Sequence, residues 1–285
     1  MNLNIAHRPI ISTITPFYKM GRFLFDFLEN YKKQTIFDKM EVVLDLNEPT
    51  EEELNLVKDF GYKHPGRLKV LISDPVIPIG LSMNKCIENS TGDILAIWNV
   101  DDLRTPYSFE MQMKSYKNSE VGISHGNFVV VPQFGITKGE YIDHTWTNKN
   151  QNELTRGMHF GPFFSWKKSL HEKCGYFDEN LKSGADFDLA IRLAANTKAH
   201  CLSEVLGYYL NEGKGLSTNG SGLQETERTV IEMRYNIKDK IQKNLIAKAN
   251  TYKINTIKNF GKDCQVSSFF ENFDSFKTSN TRCSL

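Results

Sequence analysis

The stretch Ile94-Leu95-Ala96-Ile97-Trp98-Asn99-Val100-Asp101-Asp102 joins five apolar residues to a pair of adjacent acids. A short apolar run of this kind reads as a buried strand. The acids then stand at its carboxyl end, and open α/β sheets bind their ligands outside that edge. Two readings are open: the acids hold a cation and an anionic substrate, or they end a strand ahead of the Thr105-Pro106 helix start.

The flanking sequence supplies the rest of a sheet. Ile10 to Ile14 reads as a strand between Pro9 and Pro16, and Phe23, Leu24, Phe27, Leu28 and Tyr31 follow at helical spacing. Val42-Val43-Leu44 is a second strand, and Thr50-Glu51-Glu52-Glu53 offers a capping box for the next helix. Leu68 to Ile72 is a third strand, followed by a helix near 82–89. Thr105-Pro106 supplies an N-cap and first-turn proline for a helix to about Lys117. Strands alternating with helices imply a mostly parallel, twisted sheet with right-handed crossovers.

Beyond residue 121 the pattern changes. Residues 121–166 read as mixed strands and loops, with Gly135, Gly139 and Gly157 as turns. A helix opens at Ser183-Gly184-Ala185-Asp186, residues 199–210 read as a strand pair or extended segment, and a polar helix covers about 224–252 before a loose tail. The expected division is a main domain over 1–222, with halves at about 8–131 and 132–222, and a C-terminal helix and tail over 223–285.

Composition narrows the function. With 285 residues the chain can bury a core without staples, and a net charge of +1 from 35 basic and 34 acidic residues offers no bulk attraction for nucleic acid. The five cysteines, Cys86, Cys174, Cys201, Cys264 and Cys283, form no C-x-x-C pair, which favours free thiols in a reducing compartment. No apolar h-region opens the chain and no run approaches the roughly 20 residues a spanning helix needs. The expectation is a cytoplasmic protein without a membrane span, for which peripheral contact with a membrane stays open.

Four segments in order resemble the family 2 glycosyltransferases, whose fold is GT-A. They are Ser12-Thr13-Ile14-Thr15-Pro16-Phe17-Tyr18; Glu41-Val42-Val43-Leu44-Asp45; Gly80-Leu81-Ser82-Met83-Asn84 with Thr91-Gly92-Asp93-Ile94 and Asn99-Val100-Asp101-Asp102; and Gly175-Tyr176-Phe177-Asp178-Glu179 with Asp186-Phe187-Asp188-Leu189 and Arg192. The resemblance covers about residues 10–209 and implies a nucleotide-binding half, a mixed acceptor-side half and a C-terminal helical extension. It further implies a transferase that moves one sugar from a nucleotide-sugar donor to a glycan or lipid-linked saccharide, as in polysaccharide biosynthesis. A Gln-x-x-Arg-Trp signature is lacking, which points to single-sugar rather than processive transfer.

By the same resemblance, Asp101 with Asp102 holds Mn²⁺ or Mg²⁺, whose charge neutralises the leaving diphosphate. Thr15, Pro16, Phe17, Asp45, Asn84, Asn99 and Asp101 contact the nucleotide, and Asp186 is the general base of an inverting displacement, oriented by Asp188 and Arg192. The residues also have plainer readings. Asp45 can be a strand-end acid, Ser183-x-x-Asp186 an ordinary helix cap, His159 and His171 satisfied structural histidines, and Trp146 and Trp166 core residues. The chain departs from the pattern at Asn99, Leu46 and Ala185, where the family often has acids, and at Met83, where it often has Arg. Those departures leave a degenerate, non-catalytic GT-A binding module as an alternative. A sugar-phosphate nucleotidyltransferase is a weaker one, since Thr15-Pro16-Phe17-Tyr18 stands where its Gly-rich phosphate loop belongs.

Overall fold

In a computed structural model the described residues are 8–213, 215, 222–235, 237, 256–259 and 262–265. The first half alternates as its periodicity predicts: β1 (Ile11–Tyr18), α1 (Gly21–Lys32), β2 (Met40–Asn47), α2 (Glu51–Lys63), β3 (Leu68–Ser73), α3 (Ile79–Asn89) and β4 (Ile94–Ile97). The apolar stripe of α1 is buried as spaced, at Phe23, Leu24, Phe27, Leu28 and Tyr31. The α2 capping box forms: the Glu53 N–H donates to Thr50 Oγ1 at 3.2 Å and the Thr50 N–H donates to Glu53 Oε2 at 2.8 Å.

Two boundaries differ from the sequence reading. β1 runs through Pro16 to Tyr18, because Pro16, Phe17 and Tyr18 stay in register with Asp45, Leu46 and Asn47. The helix expected from Thr105 begins later. A two-residue strand, β5 (Leu103–Arg104), precedes α4 (Ser108–Ser115). Thr105 is instead tied to the far side of the sheet, its N–H donating to Leu206 O at 3.0 Å and its hydroxyl to Val205 O at 3.1 Å.

The second half contributes β6 (Val121–Val131), β7 (Glu140–Ile142), β8 (Ser165–Lys167), the one-turn α5 (His171–Cys174), α6 (Ala185–Ala194), β9 (Lys198–Leu210) and α7 (Leu223–Arg234). The segment 199–210, readable as a strand pair or an extended segment, is one long strand. All these strands join one nine-stranded sheet in the order β3-β2-β1-β4-β8-β6-β9-β5, with β7 beside β6. β1 to β4 are parallel, β8 is antiparallel to both neighbours, and β6 and β9 are parallel.

Core forms on both faces of the sheet. One face packs Phe23, Leu24 and Phe27 of α1, Val57 and Phe60 of α2 and Phe109 of α4. The other packs α3 and α6, and Ile231 and Tyr235 at the C-terminal end belong to the same cluster. The boundary expected at 222/223 therefore falls at the start of a helix that completes the core. α7 ends at Arg234, well short of 252, and most of that expected helix lies outside the described residues. Within the expected tail, Thr256–Asn259 and Lys262–Gln265 pair as an antiparallel hairpin, β10 and β11. Among the described residues no helix is long and apolar enough to cross a membrane.

Candidate active site

The parallel strands bring three groups of residues to the carboxyl edge of the sheet. The first is the acid pair after β4. Asp102 is buried, its Oδ1 accepts the Leu210 N–H at 3.1 Å, and the Trp98 indole N–H donates to its carbonyl at 2.9 Å. Burial, with the charge of Asp101 behind it, pushes the Asp102 carboxyl well above the usual range. Asp101 is half-buried and also raised, first by burial, with Arg22 opposing and Glu212 adding to the rise. Asn99 reaches Asp102 Oδ2 only at 3.5 Å, the long limit of a hydrogen bond.

Three residues of this region escaped the sequence reading. Arg22 and Glu212 pair at 2.6 Å and act on Asp101 with opposite sign. Arg104 lies buried behind the acids, donating to Ile97 O, Ser108 Oγ and Gln112 Oε1, with its guanidinium 4.1 Å from the Phe109 ring centre. Burial lowers its pKa to about 9, with the charge of Asp102 opposing the fall. No spacing rule pointed to any of the three, since each acts through tertiary proximity.

The donor set suits a divalent cation that a ligand completes. Both carboxylates are raised by burial, and the charge of Asp101 adds to the rise at Asp102, which a cation would relieve. Among the described residues no cluster of three or more His, Cys, Asp or Glu side chains forms a closed site. Mg²⁺-type sites commonly use one or two carboxylates together with substrate phosphates, and Asp101 offers the more open carboxylate.

The second group surrounds Asp45. This carboxylate is fully buried at the end of β2, and its oxygens accept from Ser82 Oγ at 2.6 Å, Lys85 Nζ at 2.9 Å, Ser73 Oγ at 3.0 Å and Asn47 Nδ2 at 3.3 Å. It reaches the expected edge with its oxygens occupied, and of its four partners only Lys85 is partly exposed. Beside them opens a cavity of about 440 Å³ whose walls include Ile72, Ser73, Pro75, Ile77, Leu81 and Lys85. Thr15 donates to Trp98 O at 2.9 Å, and the Phe17 ring is core, so neither side chain faces that edge freely. Tyr18, the next residue on β1, is exposed. Leu46 and Met83, which depart from the family pattern, are core residues.

Asn84, expected at the nucleotide, bonds within the protein. Its amide pairs reciprocally with Phe177, accepting from the N–H at 2.9 Å and donating to the carbonyl at 3.0 Å, and it donates to Glu179 at 2.9 Å. Asn84 thus fastens α3 to the 175–179 segment. Gly80 permits the approach, since a Cβ there would lie 2.9 Å from Asp178 O.

The third group is the start of α6. Asp186 sits in its first turn and its Oδ1 accepts the Phe187 N–H at 2.8 Å. A helix N-terminus favours a carboxylate, yet burial outweighs this and raises the Asp186 pKa, with Glu227 adding to the rise. The cap expected from Ser183 does not form. Gly184 is the N-cap, and the Ser183 hydroxyl has no hydrogen-bond partner among the described residues. Glu227 of α7 instead takes the preceding N–H groups, from Lys182 at 2.9 Å, Ser183 at 2.7 Å and Gly184 at 2.9 Å.

Asp188 and Arg192 lock elements together. Asp188 Oδ2 accepts from Arg192 at 2.6 Å, and its Oδ1 accepts from Arg234 at 2.7 Å and Tyr235 at 2.8 Å. Arg192 also donates to the carbonyls of Cys174 and Tyr176, and Arg234 pairs with Asp178 at 3.0 Å. His171 is structural: Trp166 donates to its Nε2 at 2.9 Å, leaving Nδ1 to donate to Gly175 O at 2.7 Å. Trp166 is core, whereas Trp146 is exposed and meets the His159 ring edge-on at 5.1 Å.

The profile of a family described as Glycosyl transferase family 2 matches residues 12–177. The chain is 25% identical over 129 residues to the provisionally named glycosyltransferase EpsE of Bacillus subtilis, covering 45% of this chain and 46% of that one. It is 22% identical over 193 residues to the uncharacterised glycosyltransferase MJ1057 of Methanocaldococcus jannaschii, covering 66% of each. It thus matches about half of the first relative's length and about two thirds of the second's. Among solved structures, S. aureus TarS 1-349 in complex with UDP-GlcNAc aligns with a TM-score of 0.64 at 16% identity, over 96% of this chain and 76% of that one. The mannosyltransferase PcManGT from Pyrobaculum calidifontis, in complex with GDP-Man and Mn2+, aligns with a TM-score of 0.59 at 18% identity, over 87% and 70%. With its curled, mostly parallel sheet and its family match over more than half its length, the chain belongs to glycosyl transferase family 2 and has the GT-A fold.

Proposed function

We propose that the chain transfers a single sugar from a nucleotide-sugar donor to a glycan or lipid-linked saccharide acceptor, with inversion at the anomeric carbon. The observation that carries this reading is the raised, adjacent carboxylate pair Asp101–Asp102 at the carboxyl edge of the parallel sheet. The diphosphate lies toward Asp101, and the nucleoside lies along the Tyr18, Ser73 and Lys85 side of the same edge, with Asp45 holding Ser73 and Lys85 in place. Asp101, assisted by Asp102, holds Mn²⁺ or Mg²⁺. When bound, the cation offsets charge on the departing nucleoside diphosphate. Solved neighbours carry GDP-Man with Mn2+ and UDP-GlcNAc, which supports a donor of this class.

Asp186 is the general base. A carboxylate raised by burial is a better proton acceptor near neutral pH than an exposed one. It takes the acceptor hydroxyl proton as the new O–C1 bond forms and the C1–O bond to phosphate breaks. Buried free thiols at Cys86, Cys174 and Cys201 accord with action in the cytoplasm, beside a membrane when the acceptor is lipid-linked.

Thermal shift against UDP-, GDP- and dTDP-sugars, with and without Mn²⁺, tests the donor class. A Mn²⁺-dependent rise in Tm with one nucleotide family is expected, and no response to any of them defeats the reading. Asp186→Asn is expected to abolish turnover while sparing donor binding. Unchanged transfer by that variant would remove Asp186 from the role.

A further inference from the structure

We infer that Glu227 of α7 is a positioning residue for Asp186, its carboxylate holding the turn that presents the base. The inference rests on the reading of Asp186 as base. Glu227 is buried, and its carboxylate gathers the N–H groups of Lys182, Ser183 and Gly184 between 2.7 and 3.1 Å. Those residues lead directly into α6, where Asp186 is the second residue. Hydrogen bonds from N–H groups to an ionised acceptor are about twice as strong as neutral ones. The chain supplies no local substitute, since the Gly184 cap has no side-chain acceptor and the Ser183 hydroxyl does not cap the helix.

Packing fixes the same junction. A Cβ at Gly184 would lie 2.8 Å from Ile231 Cδ1 and 3.5 Å from Glu227 Cβ, so α7 lies directly against the turn and an added methyl would have to displace the end of the Ile231 side chain. The far end of α7 is anchored independently, through Arg234 and Tyr235 on Asp188 and Arg234 on Asp178. α7 thus grips α6 at its entry and again in its first turns.

The charged groups around Asp186 give this arrangement an electrostatic signature. Glu227 acts on Asp186 from α7, in the direction that favours proton uptake. Asp188, on the same helix, is neutralised by Arg192 and Arg234. Arg228 of α7 lies 5.5 Å from the Phe187 ring and pairs with Glu232 at 3.2 Å. The short helical segment 151–156 carries Glu153 and Arg156, paired at 3.6 Å, and α5 carries His171, Glu172 and Lys173. Glu227 is therefore the charge whose removal should move the Asp186 titration to lower pH.

The test compares wild type, Glu227→Gln, Glu227→Asp and Asp186→Asn as full chains. Three readouts apply: amide hydrogen exchange over 182–184, the Asp186 carboxyl titration by ¹³C NMR, and Mn²⁺-dependent release of nucleoside diphosphate from UDP-GlcNAc and GDP-mannose. In Glu227→Gln the 182–184 amides should exchange about tenfold faster. The Asp186 midpoint should fall by roughly half a pH unit or more, and kcat should drop about tenfold with donor Kd unchanged. Glu227→Asp keeps the charge and shortens the reach, so it should lose kcat without moving the midpoint; it is read alone if Glu227→Gln does not fold. Wild-type exchange, midpoint and kcat in Glu227→Gln, beside an inactive Asp186→Asn, would overturn the inference and leave the base standing. An active Asp186→Asn would overturn the base and this inference with it. If neither donor is turned over, exchange and titration decide, and the absence of change in both overturns the inference.

Discussion

Asp102 Oδ1 accepts the backbone N–H of Leu210 at 3.1 Å, which ties the acid pair after β4 to the last residue of β9. The carboxylate therefore acts as structural acceptor and as part of an electrostatic site. Asp102→Asn keeps an oxygen for Leu210 and removes a charge that burial disfavours. Its stability without metal should equal or exceed wild type. Asp102→Ala leaves a buried N–H without its partner and should lose about 1–3 kcal/mol. Urea unfolding of the two variants at neutral pH separates these roles.

Asp188 should be the most sensitive acid for stability. Burial alone would raise its pKa, but Arg192 and Arg234 outweigh burial and hold the carboxyl below the usual range. Asp188→Ala leaves Arg192 without a carboxylate and Arg234 with Asp178 alone, both mostly buried, and should cost about 3–5 kcal/mol in urea unfolding. The pH sign follows from the depressed folded pKa. The contribution of Asp188 is present above its unfolded pKa of about 3.9 and is lost as pH falls through the lower folded value. Asp188→Asn should therefore show a shallower loss of stability below about pH 4 than wild type.

Lys85→Met tests how Asp45 is held. The lysine stem is replaced by one of similar shape, while Asp45 keeps Ser73, Ser82 and Asn47 but no cation. Because Lys85 is partly exposed, the expected loss is smaller than for a fully buried pair, about 2–3 kcal/mol by thermal or urea unfolding. Donor binding, followed by isothermal titration with UDP- and GDP-sugars, should weaken as well.

Gly80→Ala tests the seam between α3 and the 175–179 segment. The added Cβ would meet backbone atoms, Asp178 O at 2.9 Å and Glu179 Cα at 3.1 Å, which cannot rotate away. A loss of about 1–3 kcal/mol is expected, and restored stability on pairing it with Asn84→Ala would contradict this account.

The alternating half was legible because each element carried its own local signal. The α1 stripe, the Thr50–Glu53 box and the apolar strands β1 to β4 need no distant partner to be recognised. The same local signals misplaced the α4 start, since Thr105 and Pro106 resemble a cap while β9 claims the Thr105 hydroxyl. The ordered acids were legible as positions, yet their surroundings were not. Asp45 and Asn84 reach the expected region with their polar atoms already engaged by residues far away in sequence. Glu227 lay hidden in a stretch readable only as a polar helix, because its partners are backbone N–H groups and backbone carries no sequence signature.

The grip of α7 on α6 has a consequence for the order in which the protein can be completed at the ribosome. β1 to β4 and their helices can assemble once residue 97 has emerged, with their parallel pairings satisfied among themselves. Asp186 emerges much later, and its turn lacks acceptors until Glu227 and then Arg234 and Tyr235 follow. A nascent chain paused near residue 222 would thus carry the paired strands β1 to β4 beside an α6 whose entry is not yet held. Shortened versions should end beyond Ile237, the last described residue of that core cluster, and not at the 222/223 boundary expected from the sequence.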